Sequence, residues 1–247
     1  ILNKTKKYFC VSTDKASNPV NMMGASKRIM EMFLLQKSDK ISISSARFAN
    51  VAFSDGSLLH GFNQRIENKQ PIVAPNDIKR YFITPKESGE LCLMSCLLGE
   101  NRDVFFPKIS KTLNLISFSD IAIQYLHQKG YEAHLCNSEQ EARESVKNLI
   151  MKNKWPCFFS ETNTSGEKAF EEFYSKNEKL NLTLFNNIGI IKSKYPENNN
   201  KLENFKTKIN QMRANKHWTK SEILNLFYDL VPNFNHLEKG KYLDSKM

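Results

Sequence analysis

One stretch near the start of the chain limits the fold more than any other. Tyr8-Phe9-Cys10-Val11 is an apolar run of strand type that breaks into Ser12-Thr13-Asp14-Lys15. Asn18-Pro19 marks a turn, because proline fixes its own φ and pushes the preceding residue out of the helical region. A helical pattern follows, with Met23, Lys27, Ile29, Met30, Met32, Phe33 and Leu34 before Gln36. Ile41 to Phe48 alternates and carries β-branched residues, which predicts a second strand. Strand, helix and strand with short links make a βαβ unit, so the two strands are expected to be parallel neighbours. Their polar loops, Ser12–Lys15 and Asn50–Ser57, then leave the same edge of the sheet, where open α/β sheets bind ligands. Met23 and Lys27 are four residues apart and share a helix face.

The rest of the chain keeps alternating. Leu58 to Glu67 reads as a helix, and Pro71–Pro75 and Lys79–Thr84 read as extended pieces. Thr84-Pro85-Lys86-Glu87 is a capping box with proline at the first helical position, opening a helix that stops at Gly99. Asp103–Pro107 is a short strand, and Ser117 or Ser119 caps a helix ending before Gly130. Beyond Tyr131 the pattern predicts a strand to Cys136, a charged amphipathic helix from Ser138 to Met151 and a strand from Trp155 to Phe159. Thr164-Ser165-Gly166-Glu167 is expected to open a helix through Phe173. Two further helices are expected, at Lys201–Met212 and, behind the capping box Thr219–Glu222, at Ile223–Leu230.

Composition excludes some classes of function. No run approaches the roughly 18 apolar residues of a membrane-spanning helix, and the first residues lack the apolar core of a signal peptide. The net charge of +10 comes from 36 Lys and Arg against 26 Asp and Glu. It raises the question of a polyanion partner, but the basic residues are scattered and no Arg-rich block occurs, so no nucleic-acid partner is expected. Five cysteines, Cys10, Cys92, Cys96, Cys136 and Cys157, fit no zinc spacing and suit a reducing, cytoplasmic compartment. The five histidines form no ligand spacing, so no metal is expected.

Taken together, the motifs resemble the extended short-chain dehydrogenase/reductases that act on nucleotide sugars. Those carry Ser-Thr-Asp-Lys after a central strand, then Asn-Pro, then Tyr-x-x-x-Lys on the next helix. Here Ser12-Thr13-Asp14-Lys15, Asn18-Pro19 and Met23-Gly24-Ala25-Ser26-Lys27 match, with Met23 in place of the tyrosine. That exchange is a mark of the polysaccharide-biosynthesis UDP-N-acetylglucosamine 4,6-dehydratases of the CapD type. Arg47-Phe48-Ala49-Asn50-Val51, Ser54-Asp55-Gly56-Ser57 and Asp77–Thr84 resemble further family segments. Lys241–Ser245 is similar to the C-terminal extension of a subset.

The resemblance implies an α/β fold: the C-terminal portion of a Rossmann-like doubly wound parallel sheet, with a smaller α/β substrate-binding region and a helical C-terminal extension. Residues 1–130 would hold the catalytic loop and sugar-nucleotide part, 131–197 a small appended α/β lobe, and 198–247 the extension. The glycine-rich dinucleotide turn of the family has no counterpart here, so the chain is expected to be a fragment without most of the NAD site.

The implied reaction is an NAD-dependent loss of water from UDP-N-acetylglucosamine or a related UDP-sugar. Thr13 would hold the C4 oxygen, Lys15 would take the C5 proton and Asp14 would protonate the departing C6 hydroxyl, though the last two roles are interchangeable on sequence grounds. Lys27 and Ser12 would contact the cofactor, with Lys27 on the nicotinamide ribose. Met23 cannot exchange a proton, so the tyrosine's role must move, to Asp14 or Thr13. Asn50 and Arg80 are the first candidates for the diphosphate, with Ser57 and Arg65 behind them, because Arg grips phosphate through a charged fork. Arg47 reads equally as a ligand or a fold-stabilising residue. A UDP-sugar C4-epimerase and a non-catalytic nucleotide-sugar-binding fragment are the alternatives. Self-association, as a homo-oligomer, stays open.

Overall fold

A computed structural model describes residues 5–109, 115–195, 199–236 and 238–240. Strand β1 (Lys7–Thr13) runs into a single 3-10 turn, Asp14–Ala16, and then α1 (Met22–Gln36). Asn21 caps α1 by accepting from the Gly24 amide. After β2 (Ser42–Phe48) come β3 (Asn50–Val51), α2 (Leu58–Glu67), β4 (Ile72–Pro75), β5 (Lys79–Ile83) and α3 (Pro85–Leu98). The Thr84–Glu87 capping box forms as expected, with Pro85 in the first turn. The middle of the chain holds β6 (Asp103–Pro107), β7 (Leu115–Ser117) and α4 (Phe118–Gln128), capped by Ser117 rather than Ser119. Then follow β8 (Glu132–Leu135), α5 (Glu139–Ile150), β9 (Lys154–Ser160), β10 (Leu180–Asn181), β11 (Ile188–Lys192), α6 (Asn199–Asn215) and α7 (Lys220–Leu230).

The main sheet has the order β1-β2-β6-β11-β10. Strands β1 and β2 are parallel along their whole length, from Lys7 opposite Ser42 to Thr13 opposite Phe48. Strand β6 is parallel to β2, and β11 is antiparallel to β6. Helices cover both faces. Arg47 of β2 bonds Glu31 of α1, whereas Ala46 packs with Leu91 of α3. Adjacent residues on a strand point to opposite faces, so α1 and α3 lie on opposite sides. This is the doubly wound arrangement the sequence predicts.

Residues 131–197 share sheets with the earlier part of the chain. Strand β9 pairs in parallel with both β4 and β8, and β11 pairs with β6. The expected boundary at 130 therefore runs through two hydrogen-bonded sheets. One core cluster joins α2, β4, α4 and β9 through Phe62, Ile72, Leu126 and Trp155. Helices α6 and α7 cover α1 instead, packing Leu202, Phe227 and Leu230 on Ala25 and Ile29.

The helix expected over 164–173 does not form. Gly166 takes a left-handed φ of +73° and lies so close to Asn21 that an added Cβ would come within 2.5 Å of the Asn21 Cβ. Glu167 is drawn to Arg80, while Phe173 enters the core beside Tyr81 and Phe106 and its carbonyl accepts from Arg47. These tertiary contacts outweigh the local capping signal. The resemblance seen at Lys241–Ser245 falls outside the described residues.

Candidate functional site

The carboxyl end of β1 turns sharply because Thr13, in extended conformation, starts the 3-10 turn. Its hydroxyl donates to Asp14 Oδ1 at 2.8 Å. The same oxygen accepts the Lys15 amide at 2.8 Å and the Lys15 ammonium at 3.1 Å. Asp14 is buried, and its Oδ2 has no hydrogen-bond partner among the described residues. The turn thus presents a compact acid–base pair in which one carboxylate oxygen is fully used and the other is unspent. Burial without a partner is costly, so that oxygen is a candidate contact for a ligand.

Helix α1 closes on this turn because it carries glycine where it approaches. A Cβ on Gly24 would sit 2.5 Å from the Lys15 carbonyl oxygen. Next to Gly24, Met23 is about half-exposed at 49%. One turn on, Lys27 is half-buried and makes no hydrogen bond or ion pair among the described residues. It lies near enough to Cys10 to pull that thiol's pKa down, against the stronger upward push of burial. The structure therefore sets the start of α1, which carries Met23 and Lys27, against the turn that carries Thr13, Asp14 and Lys15.

Ser12 is spent differently. Its hydroxyl donates to Glu31 Oε1 at 2.6 Å, inside the contact between β1 and α1. Asn50 and Arg80 sit on a small sheet, β3-β5-β7, in which Asn50 pairs with Phe82. Asn50 Nδ2 donates to the Tyr81 carbonyl at 3.4 Å. Arg80 is buried and donates to Glu167 Oε2 at 2.7 Å and to the carbonyls of Lys79 and Lys168, each at 2.9 Å. Ser57 caps α2, accepting from the His60 amide at 3.2 Å. Arg65 donates to the Pro71 carbonyl at 3.2 Å and faces Arg143 and Glu139 of α5.

Glu167 is the residue that sequence reasoning missed. Burial pushes its carboxyl up, Arg80 pulls it down, Glu171 pushes it up again, and Lys15 is close enough to act on it. It links Arg80 electrostatically to the Asp14–Lys15 turn. The available signal was Gly166, a turn residue in the midst of an expected helix.

NAD fits this residue set at one end. Lys27, near Cys10 of β1, offers an ammonium with no hydrogen bond or ion pair among the described residues for ribose hydroxyls. Ser12, committed to Glu31, does not. For the cofactor's diphosphate the sequence contains no glycine-rich turn.

Residues 1–193 match the family described as polysaccharide biosynthesis protein. The chain is 30% identical over 179 residues to the capsular polysaccharide biosynthesis protein CapD of Staphylococcus aureus, covering 71% of this chain and 26% of that one. It is 29% identical over 205 residues to the UDP-glucose 4-epimerase of Rickettsia bellii (strain OSU 85-389), covering 73% and 60%. The solved structure of Pen from Bacillus thuringiensis has the same fold, with a TM-score of 0.60 at 22% identity, covering 78% of this chain and 54% of that chain. The chain thus spans between 26% and 60% of the length of these curated relatives.

Proposed function

The chain belongs to the polysaccharide biosynthesis protein family, and on that premise we propose that it carries the catalytic turn of an NAD-dependent nucleotide-sugar 4,6-dehydratase acting on UDP-N-acetylglucosamine. The supporting observation is the Asp14–Lys15 pair, 3.1 Å apart on a buried turn at the carboxyl end of a central strand, with one carboxylate oxygen unspent. Loss of water across C5 and C6 needs a base at one carbon and an acid at its neighbour. Lys15 takes the C5 proton and Asp14 protonates the C6 hydroxyl, or the two roles are exchanged. Thr13 holds the C4 oxygen. Lys27 holds the nicotinamide ribose and keeps positive charge near that oxygen. NAD, when bound, would take hydride from C4, leaving a ketone that acidifies C5, and would return that hydride to C6 after water is lost. Asn50 and Arg80 receive the diphosphate, with Ser57 and Arg65 as lesser contacts.

The second reading is a C4-epimerase, favoured by the similarity to the rickettsial UDP-glucose 4-epimerase. Met23 weighs against it, since a thioether cannot give or take the proton that the family's tyrosine handles. A non-catalytic nucleotide-sugar-binding role is the third.

The test is to incubate the chain, expressed within its full reading frame, with UDP-N-acetylglucosamine and NAD in heavy water and to follow the sugar nucleotide by mass spectrometry. The dehydratase reading requires loss of one water with deuterium at C5. Unchanged mass with a new C4 epimer selects the epimerase, and tight UDP binding without turnover selects the binding role.

A further inference from the structure

Half of the net charge of this protein falls in one segment. Residues 199–220 hold Lys201, Lys206, Lys208, Arg213, Lys216 and Lys220 against Glu203 alone, a net +5 out of the chain's +10. Lys206 pairs with Glu203 at 3.7 Å and Lys220 with Glu238. Lys208, Arg213 and Lys216 are exposed and make no ion pair among the described residues.

The same helix carries an apolar stripe. Leu202, Phe205, Ile209 and Met212 recur at helical spacing on α6. At 3.6 residues per turn, Lys201 and Lys208 flank this stripe on one side and Lys206 and Arg213 on the other. The first half of the stripe is used inside the protein, with Leu202 buried in the core and Phe205 packed beside it. The second half carries no fully buried side chain among the described residues. Ile209 and Met212 are half-buried and lie outside that core cluster. Past the helix end, Trp218 stands 51% exposed.

We infer that the far half of α6, with Lys216 and Trp218 behind it, docks on an anionic lipid surface. Charge complementarity selects the partner: unpaired basic side chains on both flanks meet lipid headgroups, while Ile209, Met212 and Trp218 enter the boundary between headgroups and acyl chains. Tryptophan suits that boundary because its ring is apolar and its N–H polar. A nucleic-acid duplex would use the charges but leave the apolar stripe uncovered.

The protein supplies its own reporter. Of its two tryptophans, Trp155 is 1% exposed and Trp218 is 51% exposed, so a fluorescence change on binding belongs to Trp218. The experiment is flotation of the chain with vesicles of phosphatidylcholine, with and without phosphatidylglycerol, while tryptophan emission is followed. The expected result is binding to the phosphatidylglycerol vesicles only, with a blue shift of Trp218 and release by salt. The double variant K208E/R213E, its fold checked by circular dichroism, should bind more than about tenfold more weakly, as the contribution of each basic side chain near an anionic surface implies. Equal binding to neutral vesicles, no binding, binding undiminished in K208E/R213E, or binding of duplex DNA in place of vesicles would each overturn the inference.

Discussion

Arg47 and Glu31 hold each other through two parallel contacts: Nε donates to Oε1 at 2.9 Å and Nη2 to Oε2 at 2.8 Å. Arg47 is wholly buried, and Glu178 and the Phe173 carbonyl take its remaining donors. Ser12, next to the Thr13–Lys15 turn, donates to the same Glu31. This network ties α1, β1, β2 and the 173–178 segment together directly behind Thr13–Lys15.

Removing one partner strands a buried charge. Arg47→Met should therefore destabilise the fold by about 3–5 kcal/mol, read from urea unfolding. An unchanged midpoint would mean that the network contributes nothing to stability.

The same network sets an acid limit. Burial alone would raise the Glu31 carboxyl, but Arg47, Arg28 and the Ser12 hydroxyl hold it down at about 2. Glu178 is held low as well. A carboxylate depressed in the folded state contributes stability that is complete above its unfolded value, about 4.3, and is lost as the pH falls towards the folded value. Glu167, pushed up by burial, works in the opposite sense, its share being lost as pH rises. The wild type should thus lose stability between about pH 4.3 and about 2, and Glu31→Gln should show a shallower loss there. Parallel pH curves for the two would contradict the assignment.

Much of the fold was legible in the sequence because its signals are local. The βαβ unit, the Thr84 capping box and the Asn18-Pro19 turn each rest on a few adjacent residues. The candidate turn Thr13–Lys15 was legible for the same reason. What was not legible depends on partners far along the chain. Arg47 reads as a strand-end residue until Glu178 is placed beside it, and Arg80 reads as a free phosphate ligand until Glu167 occupies it. The 164–173 segment carries a helix-start signal, yet Arg80, Asn21 and the core around Phe173 pull its backbone elsewhere.

Gly24 should tolerate no side chain. Gly24→Ala places a methyl 2.5 Å from the Lys15 carbonyl oxygen, a backbone atom that cannot swing aside. The expected cost is about 1–3 kcal/mol from overpacking. A thermal melt equal to wild type would show that α1 does not pack against the turn as closely as described.

Cys157 should resist alkylation in the folded protein. Burial pushes its thiol up to about 12, with Cys136 adding to the push. Only the thiolate reacts, so mass spectrometry after native iodoacetamide treatment should find Cys157 unmodified and find it labelled only in denaturant. Rapid native labelling would place it nearer the surface.

Lys15 separates turnover from binding. It lies on the turn with its ammonium on Asp14 Oδ1, at 3.1 Å, while Arg80 and Asn50 belong to another sheet. If Lys15 moves the proton at C5, Lys15→Ala should lower dehydration about 10²–10⁴-fold, the usual worth of general acid–base catalysis. UDP affinity should change far less than turnover, because Lys15 reaches the proposed diphosphate contact Arg80 only through Glu167. Asp14→Asn tests the other half. It keeps an acceptor for the Thr13 hydroxyl and the Lys15 amide but can no longer deliver a proton, so turnover should fall with little change in melting temperature. Single-turnover rates and UDP titrations of both variants decide the matter. Turnover that survives Lys15→Ala would remove Lys15 as the base, and turnover that survives Asp14→Asn would move the acid to another group.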